Sequence, residues 1–357
     1  MQSVSTRPRV AVGMSGGIDS SVAAALLVEQ GYEVIGLSLH MFKDGSRCCS
    51  IEDVNRARRV CDHLGIRHYT MHVVDDFREA IIKPFTDAYA SGTTPNPCIF
   101  CNRDFKFGAL LRRALELGCS HMATGHYCRV EKRDDGYHLL RGIDGTKDQS
   151  YFLHRLSQEQ LSRTLFPLGA MTKVEVRAWA KERAIPTEGS RETADLCFIT
   201  TKGPGPLIET YHPEVARTGD VTDTGGHKLG QHQGIHRFTI GQRKGLGVAT
   251  GSPMYVKALH ADANTVVLAR KEDLFSSSCT LAGLFWTTPS PPPSGSSIEA
   301  KIRYRTKSSP CQFETLPEDR IRLTFTEPQF AITPGQAAVL FQGDEVLGGG
   351  WIEKEEI

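Results

Sequence analysis

RVAVGMSGGIDSSVAAALLVEQG, residues 9–31, decides the fold. RVAVG reads as a short buried strand. The apolar run that follows reads as a helix, with Gly31 a good residue to stop it in the left-handed conformation. Between the two lies GMSGGIDSS, residues 13–21, a glycine-rich strand-to-helix turn. Gly16 and Gly17 let backbone approach an anion closely. Ser15, Ser20 and the open N–H groups of the helix start supply donors, and the helix dipole favours negative charge there. Asp19 is a hard oxygen ligand suited to Mg²⁺ rather than to phosphate. No Walker lysine follows and the spacing is not GxxxxGK, which argues against ordinary γ-phosphoryl transfer. A glycine turn without a ligand is the bland alternative, but SGGxDS at the end of a first strand is far more specific than a lone GxGxxG.

Outward from this unit the alternation repeats. EVIGLSLHMF is a second strand, and Ser50 with Asp53 fits an N-terminal cap for IEDVNRARRVCDHLG, which ends at Gly65. RHYTMHVV gives a third strand, and CSHMATGHY a fourth after a helix over residues 97–117. Strands alternating with helices of this length predict an α/β, doubly wound parallel sheet. Thr172 and Glu175 form a second capping-box pattern, before VRAWAKERA and Pro186. After about residue 200 the chain turns glycine-rich. MYVKALHADANTVVLAR reads as two strands around a turn, and TTPSPPPSGSS, residues 287–297, as a loop. SIEAKIRYRTK, RIRLTFT, QAAVLF and VLGGGWIE read as strands of a small barrel or sandwich.

The chain has 357 residues, 39% apolar and 23% charged, which suits a globular protein of two or three domains. Net charge is +1, so any nucleic-acid binding must use local basic patches. The first residues lack an apolar secretory core, and no stretch is long enough to span a membrane, so a cytoplasmic protein is expected. Ten cysteines in such a chain favour metal or sulfur chemistry over structural disulfides.

The cysteines cluster most tellingly in TTPNPCIFCNRDFKFG, residues 93–108. Pro97 fits the first helical position, Asn96 the N-cap, and Gly118 the stop. Cys98 and Cys101 then lie at i and i+3 in the first turn, where open N–H groups favour thiolate. Two buried core thiols are the bland alternative. Cys197 follows SRETADL in a loop and is unremarkable alone. Adjacent Cys48 and Cys49 read as structural or incidental, and Cys61, Cys119, Cys128, Cys279 and Cys311 as packing residues. In SIEAKIRYRTK, a strand would place Lys301, Arg303, Arg305 and Lys307 on one face, a stripe for RNA phosphates or a solvated surface. GQRKGLG, residues 241–247, adds two cations in a glycine-flanked loop. His126 ends a strand at the sheet edge where ligands bind.

The phosphate loop resembles the PP-loop ATP pyrophosphatases, which cleave ATP between the α- and β-phosphates and adenylate a carbonyl-type oxygen. Nearly the whole chain resembles the tRNA-specific 2-thiouridylases within that class. The matching strings are GMSGGIDSS, TPNPCIFCN, KFGALL, ATGHY, KDQSYFL, LFPLG, DLCFI, GQHQGIHRFTIGQRKGLG, KIRYR and TPGQAAVLF. The resemblance implies a Rossmann-like PP-loop domain (residues 1–203), a small central domain (204–272) and a C-terminal β-barrel (273–357). It implies adenylation of the C2 oxygen of a wobble uridine, then displacement of AMP by persulfide sulfur. Cys101 matches the nucleophile and Cys197 the persulfide carrier. Gly13, Met14, Ser15, Gly16, Gly17, Ile18, Asp19 and Ser20 match the ATP loop, with Leu39 and Gly125 in further contact and Mg²⁺ at Asp19. Asn96, Pro97 and Cys98 match the segment beside the target base. Lys147, Asp148 and Gln149 match a tRNA-contacting segment, as do Arg303 and Tyr304.

Many relatives read N-P-D where this chain has Asn96, Pro97, Cys98, and cysteine cannot inherit a carboxylate's acid–base role. Two readings of the thiols stay open. In one, Cys197 carries sulfur, Cys101 resolves it and Cys98 stands by. In the other, Cys98, Cys101 and Cys197 hold three irons of a [4Fe–4S] cluster whose fourth iron binds sulfide. Zinc is disfavoured, because no fourth ligand is evident nearby. The expected partners are tRNA and a sulfur-donor protein, a cysteine desulfurase or relay carrier, acting on a monomer without membrane contact. The competing functions are an amidating synthetase of the same class and a non-catalytic RNA-binding relic. Against them stand the missing glutaminase domain and the intact phosphate loop.

Overall fold

The computed structural model describes residues 7–42, 50–187, 196–199, 203–249 and 251–354. Cys48 and Cys49 lie outside the described residues. The first strands are β1 (Arg9–Gly13), β2 (Glu33–His40), β3 (Arg67–His72) and β4 (His121–Ala123). A hairpin of β5 (Cys128–Arg133) and β6 (Gly136–Arg141) follows, then β7 (Thr164–Leu165). β1 to β4 and β7 form a parallel sheet in the order β3-β2-β1-β4-β7. Val10, Ala11 and Val12 are wholly buried, as a central strand covered on both faces requires. The Ile18–Glu29 helix is buried almost all round, because it lies between the sheet and a second helix, Lys173–Glu182.

The expected helix starts and stops are present. Ser50 with Asp53 and Thr172 with Glu175 form complete capping boxes. Gly31, Gly65 and Gly118 end their helices at φ +86°, +67° and +77°. Asn96 is a correction. Its side chain caps nothing; it is buried and hydrogen-bonds with the Tyr151 hydroxyl. The helix it precedes is α-helical at Pro97–Phe100, π-helical at Cys101–Leu110 and α-helical again at Leu111–Glu116.

The central domain carries β8 (Gly219–Thr222), β9 (Lys228–His232), β10 (Tyr255–His260) and β11 (Thr265–Ala269), in the order β10-β11-β8-β9. The last six strands are β12 (Phe275–Trp286), β13 (Ser297–Lys301), β14 (Ser309–Leu316), β15 (Arg320–Phe330), β16 (Ala337–Gln342) and β17 (Glu345–Ile352). They run β12-β15-β14-β13-β16-β17 and close through β12–β17 pairing into a barrel. Leu281, Ile298, Phe313, Leu323 and Leu340 are among the residues of its core.

The hairpin β5–β6 joins the barrel sheet: Leu140 registers with Glu345, and Arg141 N–H donates to the Asp344 carbonyl at 2.8 Å. The barrel is thus fastened to the N-terminal domain by shared sheet. The expected cation stripe on SIEAKIRYRTK does not form. β13 ends at Lys301, and the chain turns over residues 302–306, closed by Thr306 N–H and hydroxyl donating to the Arg303 carbonyl at 3.2 and 2.9 Å. Among the described residues no helix is long and apolar enough to cross a membrane.

Candidate active site

The phosphate loop is held from below by β2: Met14 N–H donates to the Leu37 carbonyl at 2.7 Å, and the Ser38 hydroxyl to the Met14 carbonyl at 2.8 Å. Ser15 N–H donates to Ser20 Oγ at 3.2 Å, which folds the loop over the helix start. Gly16 sits at φ +73°, and a Cβ there would lie 2.5 Å from the Asp53 carbonyl oxygen. A Cβ at Gly125 would lie 2.6 Å from the Asp19 carbonyl carbon, so the turn after β4 presses directly on the phosphate loop. The helix begins at Gly17 with no side-chain cap. Its first N–H groups are therefore left to an anion, which fits a nucleotide phosphate. Leu39 has its side chain buried near the end of β2 and stands in register with Met71 of β3.

Asp19 is not solitary. Lys173 Nζ donates to both of its carboxylate oxygens, at 2.7 and 2.8 Å, and the Tyr127 hydroxyl to Oδ1 at 2.7 Å. Lys173 is 5% exposed, at the first position of its helix. Neither partner was singled out from sequence. The signal for Lys173 lay in the second capping box: a cation at a helix N-terminus opposes the dipole and calls for a nearby carboxylate. Asp144 supplies a second one, accepting from Lys173 N–H at 2.9 Å. Asp19 and Lys173 thus form an ion pair at the start of the Ile18–Glu29 helix, adding a cation beside a loop that has none of its own.

Cys98, Cys101 and Cys197 are partly buried, and Cys197 lies close enough to Cys98 to act on its thiol. Burial pushes the Cys98 thiol up to about 12, the neighbouring Cys197 thiol adds to this, and Lys106 opposes it. The thiolate expected at the helix start therefore does not hold for Cys98, because desolvation outweighs the helix dipole. Cys197 is brought in by Phe198, whose ring packs edge-on to Phe85 at 5.0 Å and to Phe77 at 6.2 Å. Among the described residues no three His, Cys, Asp or Glu side chains converge as a metal-holding group, and these cysteines are included in that statement.

Lys106 lies on the same π-helical run as Cys101. It also acts on His126, whose protonation is driven well below the usual histidine range by burial first and Lys106 second. His126 follows Gly125, rests its Nδ1 2.8 Å from Thr124 Oγ1 and packs on Phe107 at 5.8 Å. It is thus a neutral imidazole at the carboxyl edge of the sheet.

The barrel grips the segment that leads into the cysteines. Gln336 Nε2 donates to the Thr94 and Pro95 carbonyls at 2.8 and 3.3 Å, and Tyr151 donates to the Ala337 carbonyl at 2.9 Å. Phe100 stacks on Trp351 with centroids 4.9 Å apart.

Family comparisons agree along the chain. The family model described as tRNA methyl transferase HUP domain matches residues 8–201, tRNA methyl transferase PRC-barrel domain residues 207–270, and aminomethyltransferase beta-barrel domain residues 276–352. The tRNA-specific 2-thiouridylase MnmA of Carboxydothermus hydrogenoformans is 44% identical over 98% of both chains. That of Rippkaea orientalis is 46% identical over 97% of this chain and 99% of its own. The chain belongs to the tRNA-specific 2-thiouridylase family.

Within that family frame, the residues aligned with tRNA contacts have mostly internal partners here. Asp148 is buried and accepts from Gly142 N–H, Ser150 N–H and Ser150 Oγ at 3.2, 3.1 and 3.0 Å. Gln149 Oε1 accepts from Tyr127 N–H at 3.1 Å. Tyr304 packs on Phe152 at 4.3 Å. The Arg303 guanidinium donates to the carbonyls of Ile240 and Ala331 and to Thr333 Oγ1. Lys147, in the same segment as Asp148, is partly exposed.

Proposed function

We propose that this chain is a tRNA-uridine 2-sulfurtransferase that forms 2-thiouridine with release of AMP and pyrophosphate. The observation that carries this reading is the uncapped helix start after Gly16 and Gly17, with Asp19 held beside it by Lys173 and Tyr127, in a chain that also brings Cys98 and Cys197 near each other. We place the domain boundaries near residues 203 and 272.

ATP, bound with Mg²⁺, supplies the AMP that turns the uridine C2 oxygen into a leaving group. The first N–H groups of the Ile18–Glu29 helix hold the phosphates, Asp19 faces the metal, and Lys173 balances phosphate charge in place of the absent Walker lysine. The TTPNPC segment, clamped by Gln336, orients the target base. Cys197 bears the persulfide, and its terminal sulfur bonds to C2 as the C2–O bond breaks. Cys101 thiolate then attacks Cys197 Sγ; the pair that held the S–S bond leaves on the uridine sulfur. A Cys101–Cys197 disulfide remains, reduced by two electrons from an external dithiol, which leaves as its own disulfide. The sulfur comes from a donor protein, a cysteine desulfurase or its relay carrier, and the enzyme works as a cytoplasmic monomer. The [4Fe–4S] arrangement of Cys98, Cys101 and Cys197 is the competing account of the sulfur step; Cys98 lies near Cys197, but the three thiols do not converge as a metal-holding group.

The decisive experiment is mass spectrometry of tRNA nucleosides from cells lacking the chain. Loss of 2-thiouridine, restored by the wild-type gene and not by Cys197→Ser, is expected. Unchanged 2-thiouridine would sink the proposal.

A further inference from the structure

Two histidines stand at the two joints of the N-terminal domain, and each has both ring nitrogens against carboxylates. His138 of β6 places Nε2 2.9 Å from Asp135 Oδ1 and Nδ1 2.7 Å from Glu345 Oε1. Asp135 lies in the turn of the same hairpin, whereas Glu345 is the barrel residue through which β17 pairs with β6. His212 follows the Gly205–Tyr211 helix that leads into the central domain. Its Nε2 lies 2.7 Å from Asp87 Oδ1 and its Nδ1 3.0 Å from Glu214 Oε1. Asp87 belongs to the Lys83–Ala90 helix of the N-terminal domain. No other histidine among the described residues has a carboxylate at each nitrogen; His227 and His236 have one apiece.

A neutral imidazole carries one N–H, so between two carboxylates it leaves one oxygen facing a bare lone pair; the imidazolium donates on both sides. Burial alone would lower His138, but its bonds to Glu345 and Asp135 outweigh that and raise it. His212 is likewise raised, by Asp87 and Glu214 against burial. The remaining charges nearby are engaged. Arg133 opposes His138 from 3.3 Å but is drawn to Glu345 and Glu131, while Asp344 pairs with Arg129 and Lys132 lies over Tyr137. Beside His212, Lys83 pairs with Glu79, and Glu209 with His236 and Arg237. Both joints bear on one segment, residues 92–95. A Cβ at Gly92 would lie 3.5 Å from Leu259 Cβ of the central domain, and Thr94 N–H donates to the Pro334 carbonyl of the barrel at 3.3 Å, beside the Gln336 bonds. The helix that carries Asp87 runs directly into this segment.

We propose that His138 and His212 are proton-dependent clasps, which as imidazolium hold the barrel and the central domain against the N-terminal domain and so tighten the segment leading into Cys98 and Cys101. The clasping is complete below the unfolded imidazole value of about 6.5, and it is lost as pH rises through the higher value each histidine has in the folded chain. His138 makes the stronger clasp, because its side chain is 5% exposed against 24% for His212.

The test uses the full-length protein and needs no substrate. NMR of ¹³C-labelled imidazoles follows each titration, with His138→Gln and His212→Gln assigning the two signals. Hydrogen–deuterium exchange at two pH values on either side of neutrality, corrected for the intrinsic rate, reads β6 and β17 at one joint and residues 83–96 and 205–215 at the other. Both histidines should titrate above about 6.5. From the acid to the alkaline condition, protection should fall about tenfold at the β6–β17 joint and about threefold at the other, and less at the β1–β2 pair. Each Gln variant should abolish the pH dependence at its own joint and leave the other joint unchanged. Titration at or below about 6.5, or equal protection under the two conditions, overturns the clasp at that joint, as does a fall that persists in its Gln variant. Should a Gln variant fail to fold, Glu345→Gln or Asp87→Asn removes one carboxylate and should lower the titration of the facing histidine; an unmoved titration would equally overturn the clasp.

Discussion

Cys98 shows how far single residues could be read. Its place at a helix start suggested thiolate, but the packing around it decides otherwise and pushes the thiol up to about 12. The sign is that of a buried acid: the charged form is penalised, so Cys98 stays protonated through the neutral range. Cys98 should therefore react slowly with iodoacetamide between pH 7 and 9, and peptide mass spectrometry after timed labelling would show it. Rapid labelling of Cys98 at pH 7 would contradict the burial argument. Lys173 is the converse case, a buried residue of the candidate site that motif reading passed over because its partner Asp19 lies 154 positions away. Removing its charge with Lys173→Met leaves Asp19 with only Tyr127 and the phosphates without their cation. Affinity for Mg–ATP should drop at least tenfold, about 1.4 kcal/mol, by calorimetry, while tRNA affinity changes little. Equal ATP affinity in the variant would remove Lys173 from phosphate binding.

The elements were legible where local chemistry marks them and illegible where it does not. Capping boxes and left-handed glycines gave the helix limits, because each is a short-range pattern. The π-helical run Cys101–Leu110 has no such mark; it exists because something outside the helix takes up its displaced carbonyls. Gln160 Nε2 does this, donating to the Arg103 and Phe107 carbonyls at 3.2 and 2.9 Å. Gln160→Leu should cost about 1 to 3 kcal/mol of stability by loss of these bonds, read in urea unfolding. It should also slow sulfur transfer more than pyrophosphate release, since Lys106 rides on the same run. A variant with normal stability and normal transfer would show that the run does not depend on Gln160. The hairpin β5–β6 was passed over for another reason: its strands owe their place to pairing with each other and with distant β17.

At the scale of the molecule, the three-part architecture was visible because its motifs are spread along the whole chain. The contacts between the parts were not, since each joins residues far apart in sequence. Gln336 is the clearest: a barrel residue holding the Thr94 and Pro95 carbonyls fixes the segment that leads into Cys98 and Cys101. Gln336→Ala should leave ATP binding intact and lower the rate of tRNA thiolation about tenfold or more, as a misplaced segment would. The same long-range logic turned the expected cation stripe of β13 into a turn with Arg303 folded inward. What the account claims above all is that sulfur reaches uridine from Cys197 and that Cys101 closes the cycle. The direct measurement is one turnover, without reductant, of protein carrying ³⁴S persulfide on Cys197, with Mg–ATP and tRNA, followed by mass spectrometry of both products. The account predicts one labelled 2-thiouridine for each Cys101–Cys197 disulfide formed, and labelled sulfur retained on Cys197 when Mg–ATP is omitted. Full thiolation by Cys197→Ser, or thiolation with both cysteines still reduced and stoichiometric iron bound, would contradict it.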